Sequence, residues 1–216
     1  MLSACPDPLE GHHISREFRT KMTDWMVEVC TSFKCCPRTY FLAVTLFDKY
    51  MVACHQQGKV LTNADIHSMG ITSIYLASKF EDVFPLHSKV VSQKIAHGAI
   101  TPQQLKEKER DFLEVFNFEI DFVTPFDFYQ TYFDKLEKQL MHTIRVQAQK
   151  TSFFCFQETE RLVAETKMIL NKLGSMALLL IKMAIQNADF LLYSPSILVV
   201  SALYSATAFL KHSRNF

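Results

Sequence analysis

The stretch "IYLASKFED", residues 74–82, changes its chemistry abruptly at the end of a helical pattern. Apolar and small residues up to Ser78 are typical of a helix that is buried on all sides. A cation, a large aromatic and two acids then follow without a break at residues 79–82. Taken alone, this ending is compatible with an ordinary helix end, where the dipole favours Lys79 and Phe80 belongs to the core.

Outward from this stretch, the sequence predicts helices throughout and no alternating strand. Apolar residues recur at three- and four-residue steps in a first helix after a Ser15 cap, and these residues are Phe18, Met22, Trp25, Met26, Val29 and Phe33. The expected helices cover about 15–34, 40–54, 62–80, 88–97, 101–116, 124–138, 156–188 and 194–211. We therefore predict an all-α protein.

Several helix starts and one helix interior carry specific signals. Thr62 is the expected cap of the third helix. Thr101-Pro102 matches the pattern of a capping box with proline at the first helical position. Residues 139–152 are polar and ambiguous. The seventh expected helix, 156–188, either continues through Gly174 or breaks there.

Composition restricts the function classes. The chain has 216 residues with 49% hydrophobic content and a net charge of +1, so no global field attracts nucleic acid or an acidic membrane. The longest apolar runs, 176–181 and 197–200, are too short to span a bilayer. No signal peptide is visible. We expect a soluble intracellular protein that binds neither nucleic acid nor membrane.

The six cysteines indicate free thiols rather than a disulfide framework or a metal site. They stand at positions 5, 30, 35, 36, 54 and 155. None has the C-x-x-C spacing, and the neighbours Cys35 and Cys36 suit neither a disulfide nor zinc. We expect reduced thiols in a reducing compartment and no bound metal.

Catalytic signatures are absent from the sequence. It contains no nucleotide-binding glycine loop, nucleophile elbow or H-E-x-x-H motif. The acids of 107–111 and the pair Asp24 and Glu28 are typical of solvated helix faces. We predict a protein that is not an enzyme, while a helical enzyme stays an alternative if perturbed carboxylates share a pocket.

Three stretches in order resemble the cyclin box of the cell-cycle cyclins. "FRTKMTDWMVEV" (18–29) and "IYLASKFED" (74–82) are similar to its two signature stretches, and "ERDFLEVFNFEI" (109–120) is similar to the stretch that closes the box. "SPSILVVSALYSA" (194–206) resembles the corresponding helix of the second cyclin fold. Among the cyclins, these stretches most resemble those of the A- and B-type cyclins.

The resemblance implies two tandem cyclin-fold helical bundles, of which the second is incomplete. The N-terminal cyclin box would cover residues 1–123. A truncated second fold of about three helices would cover 124–216.

The resemblance also implies a regulatory subunit that binds and activates a cyclin-dependent protein kinase as a heterodimer, controls cell-cycle progression and needs no cofactor. Lys79 and its acidic counterpart Glu109 would form the polar centre of the kinase-binding surface. The apolar anchors around them would be Phe80, Leu113, Phe118 and Ile120.

A second surface of such cyclins docks substrate peptides with an arginine-x-leucine motif. The matching residues here are Phe18, Arg19, Met22, Trp25, Glu28 and His67. Lys21 stands where an apolar residue is expected and would repel a basic peptide, and His67 replaces an expected glutamine. We predict weak or absent docking.

A second role is the alternative to that of a kinase regulator. A cyclin-fold scaffold of the transcription-factor type would bind polymerase or nucleic acid, and a basic face would distinguish it. The near-neutral charge of the chain favours the kinase regulator. For such a regulator we expect a location in the nucleus and cytoplasm.

Overall fold

A computed structural model of the protein describes residues 6–150 and 156–212, and the all-α prediction is confirmed. Among these residues no β-strand forms, although His13 and Thr62 make an isolated bridge. The helices are α1 Arg16–Ser32, α2 Pro37–Gln56, α3 Ile66–Glu81, α4 Ser88–Val90, α5 Pro102–Val115, α6 Pro125–Lys150, α7 Phe156–Gln186 and α8 Pro195–His212. A π-helical turn, Val91–Ile95, continues α4, and a 3₁₀ turn, Ala188–Phe190, follows α7.

Local capping chemistry sets two of the helix starts as predicted. The Ser15 Oγ accepts a hydrogen bond from the Phe18 N–H at the start of α1. Thr101 and Gln104 form a reciprocal capping box at the start of α5. Each cap satisfies backbone donors that the first helical turn leaves without partners.

The predicted start of the third helix at Thr62 is wrong. Residues 62–65 form a turn in which the Asp65 N–H donates to the Thr62 carbonyl, and α3 begins only at Ile66. The Asp65 carboxylate accepts hydrogen bonds from both the backbone and the hydroxyl of Thr62. The acid therefore organises the turn instead of occupying the third position of the helix.

The polar stretch after residue 138 is helical, so the predicted end of the sixth helix is wrong. Helix α6 runs on to Lys150. Met141 and Ile144, three residues apart, are buried within this stretch and supply the apolar side that packs. The polar residues around them obscured that spacing.

The first of two compact units contains the residues up to Phe126 together with Ile185–Tyr193. Helix α3 lies at its centre and packs against α1, α2 and α5. Helix α1 can approach closely because Gly70 has no Cβ atom. A Cβ atom there would lie only 2.1 Å from the Met22 methyl carbon. The Ser73 hydroxyl is fully buried and donates to the Met69 carbonyl within its own helix.

The buried stripe of α1 differs from the predicted one at several positions. Phe18 was expected in the core but is 47% exposed, whereas its neighbour Arg19 is completely buried. The buried residues of α1 are Arg19, Met22, Thr23, Met26, Val29 and Cys30. Met22, Met26 and Val29 are buried as predicted, and the buried Arg19 breaks the apolar pattern, which is why spacing alone missed part of the buried face.

The second unit contains Asp127–Ala184 and the residues from Ser194 onward. Helix α7 is continuous, so Gly174 does not break it. A Cβ atom at Gly174 would lie 2.7 Å from the Tyr129 hydroxyl and 3.0 Å from the Phe133 ring. The glycine thus lets the aromatic side chains of α6 approach the α7 backbone closely. The boundary between residues 123 and 124 and the assignment of a second, incomplete cyclin fold stay predictions.

One helix among the described residues is long and apolar enough to cross a membrane. It covers Gln157–Gln186, so the expectation that the apolar runs are too short does not hold for this helix. About a third of its most apolar window is buried. A single such helix is weak evidence for a membrane span, because core helices of soluble proteins can have the same length and composition.

Candidate functional site

The end of α3 and the middle of α5 meet in an ion pair. The Lys79 Nζ donates to the Glu109 Oε1 across 2.5 Å, although the two residues are 30 positions apart in sequence. The Lys79 side chain is 45% exposed, whereas that of Glu109 is 11% exposed. The Lys79 Nζ also lies 5.3 Å from the centre of the Tyr75 ring. The structure therefore brings the two predicted polar residues together.

The exposure of Lys79 leaves its ammonium group accessible from outside the protein. An ammonium group has three N–H donors, and the half-exposed Lys79 can offer further donors outward. Its place in the last turn of α3 is also favoured by the helix dipole. Glu109 is held beneath the ammonium and fixes its position.

The predicted apolar anchors, which follow Lys79 and Glu109 in the sequence, are exposed to a degree that folding alone does not require. Phe80 is 49% exposed and Phe118 is 67% exposed, while Leu113 and Ile120 are half-buried. The interpretation of Phe80 as a core residue does not account for its exposure. Large exposed aromatic rings near a charged pair are typical of surfaces that bind another protein.

The backbone holds Phe118 in an unusual conformation. Its φ angle is +64°, and that of the preceding Asn117 is +50°. Left-handed backbone is costly for a bulky residue. The Phe118 N–H donates to the Leu113 carbonyl at 2.7 Å, which closes the end of α5 and fixes the start of the following segment.

Two further exposed apolar residues were missed by the sequence analysis. Val83 is 87% exposed and Phe84 is 91% exposed, in the connection that directly follows the "LASKFED" stretch. The Leu86 N–H donates to the Ser78 hydroxyl, which folds this connection back onto α3. Two large apolar residues in a short connection before Pro85 were the signal in the sequence.

The two acids that end the "LASKFED" stretch have a structural role. The Asp82 Oδ1 accepts hydrogen bonds from the Cys36 N–H and the Thr39 hydroxyl, both at 2.8 Å. Glu81 lies 3.9 Å from the Arg38 guanidinium. These contacts tie the end of α3 to the start of α2 and so orient the Lys79 side of the helix end.

The predicted docking residues separate into two groups, of which the first is at the surface. Phe18, Glu28 and His67 are exposed, and the half-buried Trp25 has its ring centre 5.4 Å from that of His67. The imidazole of α3 and the indole of α1 are thus in contact. Lys21 is exposed as well, and its ammonium lies 2.6 Å from the Glu17 carboxylate.

The second group of predicted docking residues is inside the protein, which corrects the prediction. Arg19 has no exposed surface, and its guanidinium binds Asp48 and the carbonyl oxygens of Ile185 and Gln186. Met22 is 5% exposed and packs against Gly70. Neither side chain is accessible to a peptide, because each fills space between helices.

The profile of the family described as "Cyclin, N-terminal domain" matches residues 4–121, which is more than half of the chain. This chain belongs to the cyclin family. The match includes α1 to α5, and therefore the Lys79–Glu109 pair and every exposed residue described around it.

Curated cyclins are similar over the same region. S-phase entry cyclin-5 of Saccharomyces cerevisiae is 30% identical over 122 residues, which is 56% of this chain and 27% of that protein. G2/mitotic-specific cyclin-B1 of Oryzias luzonensis is 25% identical over 58% of this chain and 30% of its own length. G2/mitotic-specific cyclin-B2 of Bos taurus is 28% identical over 57% and 29%. The chain thus spans less than a third of these relatives.

A solved cyclin shares the fold. The X-ray structure of a viral cyclin from herpesvirus saimiri matches with a TM-score of 0.64, at 19% sequence identity. The match covers 90% of this chain and 70% of the viral chain. At this identity the likeness concerns the fold.

No group of three or more histidine, cysteine, aspartate or glutamate side chains that could hold a metal ion occurs within residues 6–150 and 156–212. Two of the cysteines, at positions 5 and 155, lie outside those ranges. Cys30, Cys35, Cys36 and Cys54 form no disulfide bond.

Proposed function

We propose that this cyclin-family chain is a non-catalytic regulatory subunit that binds and activates a cyclin-dependent protein kinase. The observation that carries the proposal is the Lys79–Glu109 ion pair between the end of α3 and α5, together with the exposed rings of Phe80, next to Lys79 in the sequence, and Phe118, just after α5. A protein partner that covered this surface would bury the apolar rings and bond the outward donors of the ammonium group.

The proposed mechanism is a shift of population in the kinase. A cyclin that packs against the regulatory helix of the kinase small lobe favours the arrangement in which the glutamate of that helix pairs with the lysine that positions ATP phosphates. The cyclin drives this change only by binding the active arrangement better than the inactive one. Rigid presentation of Lys79 by Glu109 serves this purpose, because it lowers the entropy lost when the complex forms.

The names of the related proteins support a role in the control of cell division. They are described as S-phase and G2/mitotic-specific cyclins. We propose the same general role for this chain, with action in the nucleus and cytoplasm.

The test is reconstitution with purified kinases. The full chain is mixed with individual recombinant cyclin-dependent kinases, and association and histone phosphorylation are measured beside a complete B-type cyclin as the positive control. We expect at least one kinase to bind and to gain activity. If every kinase responds to the control cyclin and none binds or responds to this chain, the proposed function is wrong.

A further inference from the structure

The end of α1 brings two cysteine side chains together. After Phe33 the chain turns at Lys34, whose φ angle is +55°, and the Cys35 N–H donates to the Cys30 carbonyl at 2.9 Å. The Lys34 N–H donates to the Thr31 carbonyl. These two hydrogen bonds define the Schellman ending of a helix, in which the side chains at the positions of Cys30 and Cys35 commonly contact each other.

The two thiols differ in access to solvent, and the pKa of the more accessible thiol is lowered. Cys30 is 5% exposed, whereas Cys35 is half-buried. A hydrogen bond from the Cys30 thiol lowers the pKa of Cys35, and burial and the Asp82 carboxylate oppose this effect only in part. For the fully buried Cys54, burial raises the pKa instead. Cys35 is therefore the accessible thiol of the pair, and its lowered pKa favours the nucleophilic thiolate.

We propose that Cys30 and Cys35 form a dithiol pair that hydrogen peroxide oxidises to a disulfide and that a thiol reductant restores. The Cys35 thiolate attacks one oxygen of hydrogen peroxide, the O–O bond breaks, and the leaving hydroxide takes up the proton that the thiol had released, so that a sulfenic acid and one water result. The Cys30 sulfur then attacks the Cys35 sulfur, the S–O bond breaks, and a second water leaves. Two thiols lose two electrons and two protons, and one hydrogen peroxide becomes two waters.

The position of this pair gives the modification a structural context. The next residue, Cys36, donates its N–H to Asp82 and is the cap residue of α2. The dithiol thus lies at the corner that ties α2 to the end of α3. This proposal rests on the cysteine geometry and is independent of the proposed kinase partner.

A tryptic map of the full chain tests the proposal. Trypsin cleaves after Lys34 and Arg38, so Cys30 and Cys35 fall on different peptides, residues 22–34 and 35–38. The reduced chain is treated with hydrogen peroxide, free thiols are blocked with an alkylating agent, and the peptides are analysed by mass spectrometry. We expect a cross-linked pair of these peptides, lighter by two hydrogens, which dithiothreitol separates again.

Single variants identify the two sulfurs. Cys36→Ser and Cys54→Ser should form the cross-link as the parent does, whereas Cys30→Ser and Cys35→Ser should not. In Cys30→Ser a dimedone probe should trap the sulfenic acid at Cys35. Alkylation of the untreated parent should modify Cys35 roughly ten times faster than Cys54.

Three results would overturn the proposal, and each can be read from the parent even if a variant fails to fold. The first is a disulfide confined to the peptide 35–38, which would be the neighbouring pair Cys35 and Cys36. The second is oxidation of Cys54 while Cys30 and Cys35 remain reduced. The third is a chain whose described thiols all remain reduced under peroxide that oxidises free cysteine completely.

Discussion

The Arg19 guanidinium of α1 binds the Asp48 carboxylate of α2 through two parallel hydrogen bonds. The Nε donates to Oδ1 at 2.8 Å and the Nη2 donates to Oδ2 at 2.6 Å. The remaining donors reach the carbonyl oxygens of Ile185 and Gln186 at 3.1 Å, where α7 ends. A buried charge is thus satisfied by a bidentate acid and by helix-terminal carbonyls that lack intrahelical donors.

Replacing Arg19 should destabilise the fold strongly. In Arg19→Ala the Asp48 carboxylate and the carbonyls of Ile185 and Gln186 lose hydrogen-bond donors inside the protein. The free energy of unfolding should therefore fall by about 3–5 kcal/mol. Urea denaturation followed by circular dichroism measures this change. Arg16→Ala is the matched control, because the Arg16–Asp189 pair is exposed at 54% and 76% and should contribute at most about 1 kcal/mol. Equal small effects of both changes would show that the buried clamp contributes nothing particular to stability.

The Lys79–Glu109 pair should matter more for kinase association than for folding. Loss of one member of a pair that is buried beneath a partner costs about 2–5 kcal/mol in binding. Lys79→Ala and Glu109→Ala should therefore weaken association with a responsive kinase by at least tenfold, measured by titration calorimetry, and reduce histone phosphorylation. Because Glu109 is nearly buried beneath Lys79, the double variant is the cleaner measure, since it leaves no uncompensated carboxylate.

The control for this pair is Arg161→Ala in α7, which removes the exposed Arg161–Glu165 pair and should change neither stability nor association. Melting temperatures of all variants show whether the folds are intact. If the folded Lys79 and Glu109 variants activate the kinase as well as the parent does, the end of α3 is ordinary solvated surface.

The exposed connection after α3 provides an independent test of the same surface. Phe84→Ser should leave the free energy of unfolding nearly unchanged, because the ring is 91% exposed in the free chain. If a kinase covers the ring, binding should weaken by about 1–2 kcal/mol, as expected for an aromatic anchor. Val60→Ser, at a residue 54% exposed in the connection between α2 and α3, is the control for removing surface apolar area. Unchanged kinase affinity in both variants would place Phe84 outside the interface.

Local chemistry explains which parts of the fold could be predicted from the sequence. The caps at Ser15 and Thr101 depend on residues three positions apart, and both were correct. The start at Thr62 failed because a turn and a capping box use the same residue types at the same spacing. The extension of α6 past residue 138 depended on burial of Met141 and Ile144, which polar neighbours concealed.

The candidate site was predictable only where the family pattern supplied long-range information. Lys79 and Glu109 are 30 residues apart, and no spacing rule joins them. The burial of Arg19 depends on Asp48, 29 residues away, and on Ile185, 166 residues away. The family resemblance did not contain these contacts and wrongly placed this arginine on a docking surface. The exposure of Phe84 follows from the path of a short connection, which periodicity does not describe.

Binding of arginine-x-leucine peptides should be weak, and Lys21 should be the reason. Its exposed ammonium pairs with Glu17 and lies 6.0 Å from the centre of the Phe18 ring, beside residues of the predicted docking surface. A basic peptide would meet a like charge there, and repulsion between solvated charges is of the order of 1 kcal/mol. Lys21→Leu should therefore bind such a peptide about five to ten times more tightly than the parent.

Trp25 makes this comparison direct, because it is the single tryptophan of the chain and its ring touches His67 at the same surface. Titration of the peptide against its fluorescence gives both dissociation constants without a label. Lys94→Leu, which removes an exposed positive charge from the turn after α4, controls for the change in net charge and should bind as the parent does. Equal and tight binding by the parent and Lys21→Leu would show that the ammonium points away from the peptide. An equal gain in Lys94→Leu would mean that net charge, and not the position of Lys21, limits the affinity.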